Sequence, residues 1–525
     1  MIHLKIDNID IAIANGTTVL EAAKTVGIKI PSMCFKEGFE NCPSCMVCLV
    51  KDRKSGNLMS SCALKVTEGM DILSNEPEVT EARKEALELL LSDHIGDCEA
   101  PCSLACPAGM NIPLMNRLIA SENFTESLRI VKEEIALPYI LGYICPAPCE
   151  KACRRKQVDE PVSVCLLKRF VAEQDETNSV HQLPAKKTDS NKKIAIIGTG
   201  PAGLASAFYL LQFGHHCVLF DKNEEAGGAL RYSITEEELP RNVINAEVDL
   251  IRRYGAEFRL NSLVTEMVFT NEIKPFFDAV IIATGDIALY NYLTQLELSK
   301  TGIVVGDGTF VTSEPGIFAC GSAIRSQKMA VRAVAQGKAA AISTDRYLRG
   351  LDLEKLSKRF NSRFDKLQVL EYAEYLKESI PDRRLLPEGG YTKGFSPDEA
   401  VKEAMRCMHC DCRKPETCKL RIYADEYKAD RKKYLIGERK TLTKHFQHDK
   451  VVYEPEKCIR CGLCVDITIQ SKEIIGLSFV GRGFDVRIDV PFSQSIKEGL
   501  THAAKKCVEA CPTGALAFKD SDKTT

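Results

Sequence analysis

The chain has no surplus of charge: 70 basic side chains stand against 72 acidic ones, a formal net charge of −2. That balance offers a nucleic acid or other polyanion no basic surface. Nor is there an apolar run near the ~20 residues a membrane span needs. The first residues, Met1-Ile-His-Leu-Lys-Ile-Asp, alternate like a strand and show no basic region, apolar core or small-residue cleavage site. A soluble cytoplasmic chain is the expectation. No acid–base or nucleophile constellation stands out, so no catalytic residue is assigned and substrate chemistry is expected on another chain. With 525 residues, 45% of them hydrophobic, there is length for about three or four domains.

Cysteine is what the chain has in excess. There are 23, many in tight C-x2-C and C-x3-C groups. A disulfide framework belongs to small secreted domains, and scattered buried thiols would not group in this way. Thiolates as soft metal ligands remain, with iron–sulfur clusters expected ahead of zinc.

Residues 1–78 read as a small β-rich domain. Leu4–Asp7 and Ile11–Ile13 alternate on either side of a turn, and a short helix follows at Val19–Val26. Cys34, Cys45, Cys48 and Cys62 can hold a [2Fe–2S] cluster, although the plant-type spacing is shorter. That spacing, with Ile30-Pro31, Cys48-Leu49-Val50 and Ser61-Cys62-Ala63, resembles the N-terminal domain of the large iron–sulfur subunit of respiratory complex I. The resemblance implies a β-grasp ferredoxin-like fold. Cys42 reads as a spare thiol.

Residues 79–185 read as helical from Glu81 onward. The segment His94-x3-Cys98 resembles the histidine-containing cluster motif of the same complex I subunit. Cys98-x3-Cys102-x3-Cys106-Pro107, followed by Cys145-Pro-Ala-Pro-Cys149-Glu-x2-Cys153, resembles the small (β) subunit of NADPH-dependent glutamate synthase. In that family the segment carries two [4Fe–4S] clusters with interleaved ligands. Carried over, it implies one cluster on Cys98, Cys102 and Cys153, with His94 the nearest fourth ligand. The alternative for His94 is a helix-end histidine bonded to backbone. The second cluster would take Cys106, Cys145 and Cys149. The family's fourth position there holds Lys168, which cannot ligate while protonated. Cys165, one helical turn earlier on the same face, is expected instead.

A linker rich in Ser, Thr, Asn and Lys, 177–193, leads into a domain at 190–350. Lys193–Ile197 is a short apolar strand, and Gly198-Thr-Gly200-Pro201-Ala202-Gly203 opens a helix. Asp221, with Lys222 beside it, ends the next apolar run 23 residues after Gly198. This is the dinucleotide fingerprint in its strand–turn–helix setting. The glycines admit the backbone to the pyrophosphate, the helix N-terminus receives it, and the acid meets a ribose hydroxyl. Three further segments resemble the flavin side of the glutamate synthase small subunit: Gly227-Gly228-Ala-Leu-Arg231, Ala283-Thr284-Gly285 and Cys320-Gly321-Ser322. They imply FAD, with Ser322 where that family has Asp. Only 30 residues separate Gly285 from Gly316, and a βαβ unit alone needs about 30. The family's NAD(P)H domain has no room there, so no NAD(P) site is expected on this chain.

Residues 351–445 read as a connector, with a charged helical stretch at Asp352–Lys377 and then Cys407-x2-Cys410-x-Cys412-x5-Cys418. Four such thiolates can hold one [4Fe–4S] cluster, with zinc the alternative. Residues 446–525, with Cys458-x2-Cys461-x2-Cys464 and Cys507-x3-Cys511-Pro512, resemble a bacterial two-cluster ferredoxin, in which each run lends its last cysteine to the other cluster. Thr468, Thr501 and Ala504 occupy ligand positions of one cluster, so Cys458, Cys461, Cys464 and Cys511 should hold the only one. The expected total is one [2Fe–2S] and about four [4Fe–4S], which leaves Cys42, Cys217, Cys320 and Cys507 as spare thiols, the middle two for core packing.

The fold class expected is multidomain α+β and α/β: a β-grasp ferredoxin-like domain, a helical double-cluster domain, a Rossmann-type FAD domain and a C-terminal ferredoxin-like domain. The function expected is electron transfer within a multi-subunit oxidoreductase of anaerobic metabolism. Partners would be an FMN- and NAD(H)-binding subunit, and a hydrogenase, formate dehydrogenase or other molybdenum or tungsten enzyme, with soluble ferredoxin a further candidate. A stand-alone flavoenzyme acting on a small substrate, or a cluster-bearing scaffold without FAD, are the alternatives.

Overall fold

The alternating N-terminus folds into a tight hairpin: strand β1 (Ile2–Ile6) runs antiparallel to β2 (Ile9–Ile13), with Ile6 opposite Ile9. The two residues between them, Asp7 and Asn8, both have positive φ, 48° and 68°. Two-residue hairpins need that handedness to match the strand twist. In this computed structural model the described residues are all but 40–42, 178–182, 287–295, 356–358, 365, 436, 438 and 520–525; Cys42 therefore lies outside them.

The chain divides into two compact units. The first takes Met1–Ala100, Arg359–Ser379 and His409–Thr525; the second takes Pro101–Lys358 and Ile380–Met408. Residues 79–185 and 351–445, each read above as one continuous domain, therefore contribute to both.

In the first unit the hairpin joins β3 (Leu49–Asp52), β4 (Leu58–Ser60) and β5 (Asp71–Leu73) in a sheet of order β2-β1-β5-β3-β4. The helix Val19–Thr25 is started by a capping box between Thr18 and Glu21. It buries Val19, Ala22 and Ala23 against Leu4, Ile6 and Ile72. The helix Pro77–Ser92 is fastened to the sheet by Arg83, whose Nε and Nη2 donate to Leu49 O at 2.9 and 2.7 Å. At the other end of the chain, Val451–Tyr453 pairs antiparallel with Leu516–Phe518, and the helices Leu463–Gln470 and Ala504–Ala510 share a core with this ribbon.

One expectation fails here. Among its described residues, the charged stretch Asp352–Lys377 is helical only over Val369–Leu376. Its amides go to tertiary partners instead of to i−4 carbonyls: Phe360 N donates to Asp425 at 2.9 Å, Ser362 N to Cys98 Sγ at 3.4 Å, and Phe364 N to Asp97 at 3.0 Å.

In the second unit, short helices including Ile112–Ala120, Phe124–Glu134, Pro138–Ile144 and Val164–Thr177 precede a parallel sheet. Its strands are β6 (Lys193–Ile197), β7 (His216–Phe220), β8 (Glu257–Arg259), β9 (Ala279–Ile282) and β10 (Ile317–Ala319), in the order β10-β9-β6-β7-β8. Both faces are covered, which is why these strands are apolar runs: Ile194 and Ile196 face one core, Ala195 and Ile197 the other. The segment 380–408 is held by buried charge. Glu403 accepts from Ser163 N at 2.8 Å and from Leu385 N at 2.9 Å, and Arg406 pairs with Glu403 at 2.9 Å. The result is a multidomain α+β and α/β chain, as the sequence leads one to expect. Among the described residues no helix is long and apolar enough to cross a membrane.

Candidate functional site

The sheet of the first unit positions four buried thiols, Cys34, Cys45, Cys48 and Cys62. Cys48 immediately precedes β3, Cys62 follows β4, and Ser61 joins them by donating both its amide and its hydroxyl to Cys48 O, at 3.2 and 2.7 Å. The sulfurs of Cys34 and Cys45 are 3.4 Å apart, and Cys62 contacts both Cys34 and Cys48. Contact with Cys62 brings Cys48 down to about 7 against the effect of burial, while contact with Cys34 and then burial push Cys45 up. Metal binding would require all four as thiolates.

Cys458, Cys461, Cys464 and Cys511 line a single small cavity of about 20 Å³ with Tyr453 and Leu516. Cys458 and Cys461 lie in the loop before the helix Leu463–Gln470, Cys464 in its first turn, and Cys511 caps the helix Ala504–Ala510. Burial, and then Cys511, push the Cys458 thiol up to about 12. Two of the residues expected at the missing second site, Thr468 and Cys507, lie in the core. Thr468 is buried, donating to Val465 O at 2.8 Å and accepting from Leu477 N at 3.2 Å. Cys507 is fully buried, its sulfur 3.7 Å from Cys464 O.

In the second unit Cys165 touches Cys145 and Cys149. Lys168, wholly buried, donates to Leu141 O at 3.1 Å. Burial works to lower its pKa, but Cys165, Cys145, Cys149 and Cys106 around it hold it above the ordinary value. The lysine at the expected ligand position is thus a counter-charge among four thiols, and Cys165 stands with them.

The other two expected groups are divided. His94 and Cys98 lie in the first unit, Cys102 and Cys153 in the second; Cys410, Cys412 and Cys418 lie in the first, Cys407 in the second. His94 is buried with Nδ1 unpartnered. Burial, then Lys457 and Arg431, hold its imidazole down to about 4. Among the described residues no three His, Cys, Asp or Glu side chains close around a single metal ion; a four-iron cube needs thiolates set wider than that.

A cavity of about 710 Å³ opens at the end of the parallel sheet, within the range for cofactor sites. Every residue expected at the flavin lines it except Gly203 and Arg231. At Gly203 a Cβ would stand 2.0 Å from Gly198 O, so this glycine lets the helix close on the turn. Arg231 is turned away, donating to Ala226 O at 2.8 Å and pairing with Glu225 at 3.1 Å. Asp221 holds the turn by accepting from Thr199 N and Oγ1 at 2.8 and 2.6 Å. Two buried lining atoms, Thr284 Oγ1 and Gln327 Oε1, have no partner, which suits a polar ligand such as FAD. Gln327 belongs to no motif in the sequence.

Three family models match successive parts of the chain: a 2Fe-2S iron-sulfur cluster binding domain at residues 1–77, dihydropyrimidine dehydrogenase domain II, 4Fe-4S cluster, at 76–180, and pyridine nucleotide-disulphide oxidoreductase at 167–337. Among curated relatives, the NADPH-Fe(3+) oxidoreductase subunit beta of Geobacter sulfurreducens is 36% identical over 188 residues, 35% of this chain and 28% of its own. The NADP(+)-dependent formate dehydrogenase subunit beta of Moorella thermoacetica is 36% identical over 207 residues, 35% of this chain and 29% of its own. The glutamate synthase [NADPH] small chain of Bacillus subtilis is 34% identical over 180 residues, 34% of this chain and 36% of its own. The chain thus spans about a third of the length of these relatives. It carries 2Fe–2S, 4Fe–4S and FAD-type oxidoreductase domains and is related to the glutamate synthase small chain.

Proposed function

We propose that this chain is an iron–sulfur flavoprotein subunit that relays electrons between other subunits of an oxidoreductase. The observation that carries this is the position of Lys419. Burial lowers the pKa of its amine, while Cys45 and Cys34 of the N-terminal group and Cys461 of the C-terminal group act to raise it, so two thiol groups of the first unit lie within electrostatic reach of one half-buried amine. A relay needs such neighbouring centres. Bound clusters would supply one-electron steps and a flavin the exchange between pairs and single electrons. The chain's own part is to bury the thiols, place cations beside them and hold the flavin.

The [2Fe–2S] set is Cys34, Cys45, Cys48 and Cys62. Four-iron sets are Cys106, Cys145, Cys149 and Cys165, and Cys458, Cys461, Cys464 and Cys511. The flavin cavity receives the pyrophosphate at Gly198–Gly203, with Ser322 in place of the family's Asp. The 30 residues between Gly285 and Gly316 are too few for an NAD(P)H domain, so on this reading the electrons come from a partner. The names of the formate dehydrogenase and Fe(3+) oxidoreductase relatives support an NAD(P)(H)-linked partner and a catalytic partner such as a formate dehydrogenase. Iron, sulfide and flavin analysis of anaerobically purified chain, with identification of what co-purifies, tests this. A chain with no flavin, or one purified natively without partner subunits, would contradict it.

A further inference from the structure

Cys98 is held between two distant parts of the first unit. Its amide donates to Ser362 O at 3.0 Å, and Ser362 N donates back to its sulfur at 3.4 Å. Its carbonyl accepts from Cys412 N at 3.2 Å. Cys412 is itself buried against Gly514, where any Cβ would stand 2.3 Å from its sulfur. Cys418 is buried within the field of both Cys412 and Cys98.

Buried cations stand around this point. Lys457 and Lys444 are both buried and share the buried carboxylate of Glu454, at 2.5 and 3.6 Å. Lys457 lies in the field of Cys412 and of the buried Asp411, and Lys444 in that of Cys410. Cations so placed favour a negatively charged, thiolate-ligated cluster beside them.

The thiols of the first unit also sort in fours. With Cys34, Cys45, Cys48 and Cys62 taken by the N-terminal set, and Cys458, Cys461, Cys464 and Cys511 by the C-terminal cavity, Cys507 is spent in the core. The described thiols that remain in this unit are Cys98, Cys410, Cys412 and Cys418.

We infer that Cys98, Cys410, Cys412 and Cys418 hold one four-iron cluster inside the first unit, and that Cys407 takes no part in it. This rests on the iron–sulfur function proposed above and changes two ligand sets: Cys98 leaves Cys102 and Cys153, and His94 is a buried neighbour instead of a ligand. Cys407 is then left in the second unit with Cys102 and Cys153.

Paired substitutions in the full anaerobic chain test the partition. C98S and C412S should each lose about four irons, and the C98S/C412S double variant should lose the same four and no more. C98S/C102S should lose about eight. C410S should behave like C412S, while H94A should keep its iron. The [2Fe–2S] EPR signal and bound flavin report folding in every variant. Additive loss in C98S/C412S with none beyond the single in C98S/C102S would overturn the partition, as would iron loss in H94A with none in C410S. If the unaltered chain binds no iron, the function itself fails along with the partition.

Discussion

The ammonium of Lys419 donates to the carbonyl of Ser32 at 3.2 Å, two residues before Cys34, while the Lys419 amide donates to Pro512 O at 2.8 Å, next to Cys511. One residue thus ties the N-terminal thiol loop to the C-terminal one. A cation so placed stabilises the reduced, more negative form of a cluster. Lys419→Met should therefore lower the [2Fe–2S] potential. At an effective dielectric of ~20 the lost interaction is about 1–2 kcal/mol, or on the order of 50 mV for one electron. An EPR-monitored redox titration reads the shift; an unchanged or raised potential would refute it.

On the proposed ligand sets, Cys507 and Thr468 stand at ligand positions of a second ferredoxin cluster that the chain does not hold. Cys507→Ala should leave iron and sulfide unchanged and cost about 1–2 kcal/mol of stability, because the thiol only fills core. Cys461→Ser should lose about four irons. Iron loss in Cys507→Ala would show that the second ferredoxin site survives.

Ser322 lines the cavity proposed for the flavin, at the position where the resemblance to the glutamate synthase small subunit implies a carboxylate. Ser322→Asp should tighten FAD about tenfold, near 1.4 kcal/mol, by replacing a neutral hydrogen bond with a charge-assisted one. Flavin release during dilution is the measurement, and weaker retention would show that Ser322 does not face the ribityl chain.

Glu247 is buried and accepts from Tyr139 N at 2.7 Å. Burial dominates, and its carboxyl is pushed up to about 8 from 4.5. Lys132 and Glu176 act on it more weakly and in opposite senses. The folded state therefore keeps a proton the unfolded state has lost. Its contribution is complete below the unfolded value and falls away as pH rises toward 8. Thermal unfolding from pH 5 to 8 should show a decline of a few kcal/mol from this group, and Glu247→Gln should flatten it. An equally steep decline in the variant would place its cause elsewhere.

What the sequence disclosed was what lies on one short loop or one repeating pattern. The Gly198 turn, the Cys34–Cys62 set and the Cys458–Cys511 set are local spacings, and the fold brings the residues of each together. Cys165 could be chosen because a helix brings i and i+3 together. Contacts closed by tertiary folding were not visible. Cys98 meets Ser362 across 264 positions, and no periodicity links them. The Asp352–Lys377 stretch looked helical for the same reason, since nothing local shows that its amides are claimed by Asp97, Cys98 and Asp425. The buried Lys444–Glu454–Lys457 group reads in sequence as ordinary surface charge.

The most direct test is an anaerobic titration of the purified, cluster-loaded chain with NADPH or NADH, followed by dithionite, watching flavin and cluster absorbance. The relay without a hydride site predicts no bleaching by either nucleotide and full bleaching by dithionite. Stoichiometric bleaching by NADPH or NADH in the absence of other subunits would contradict it.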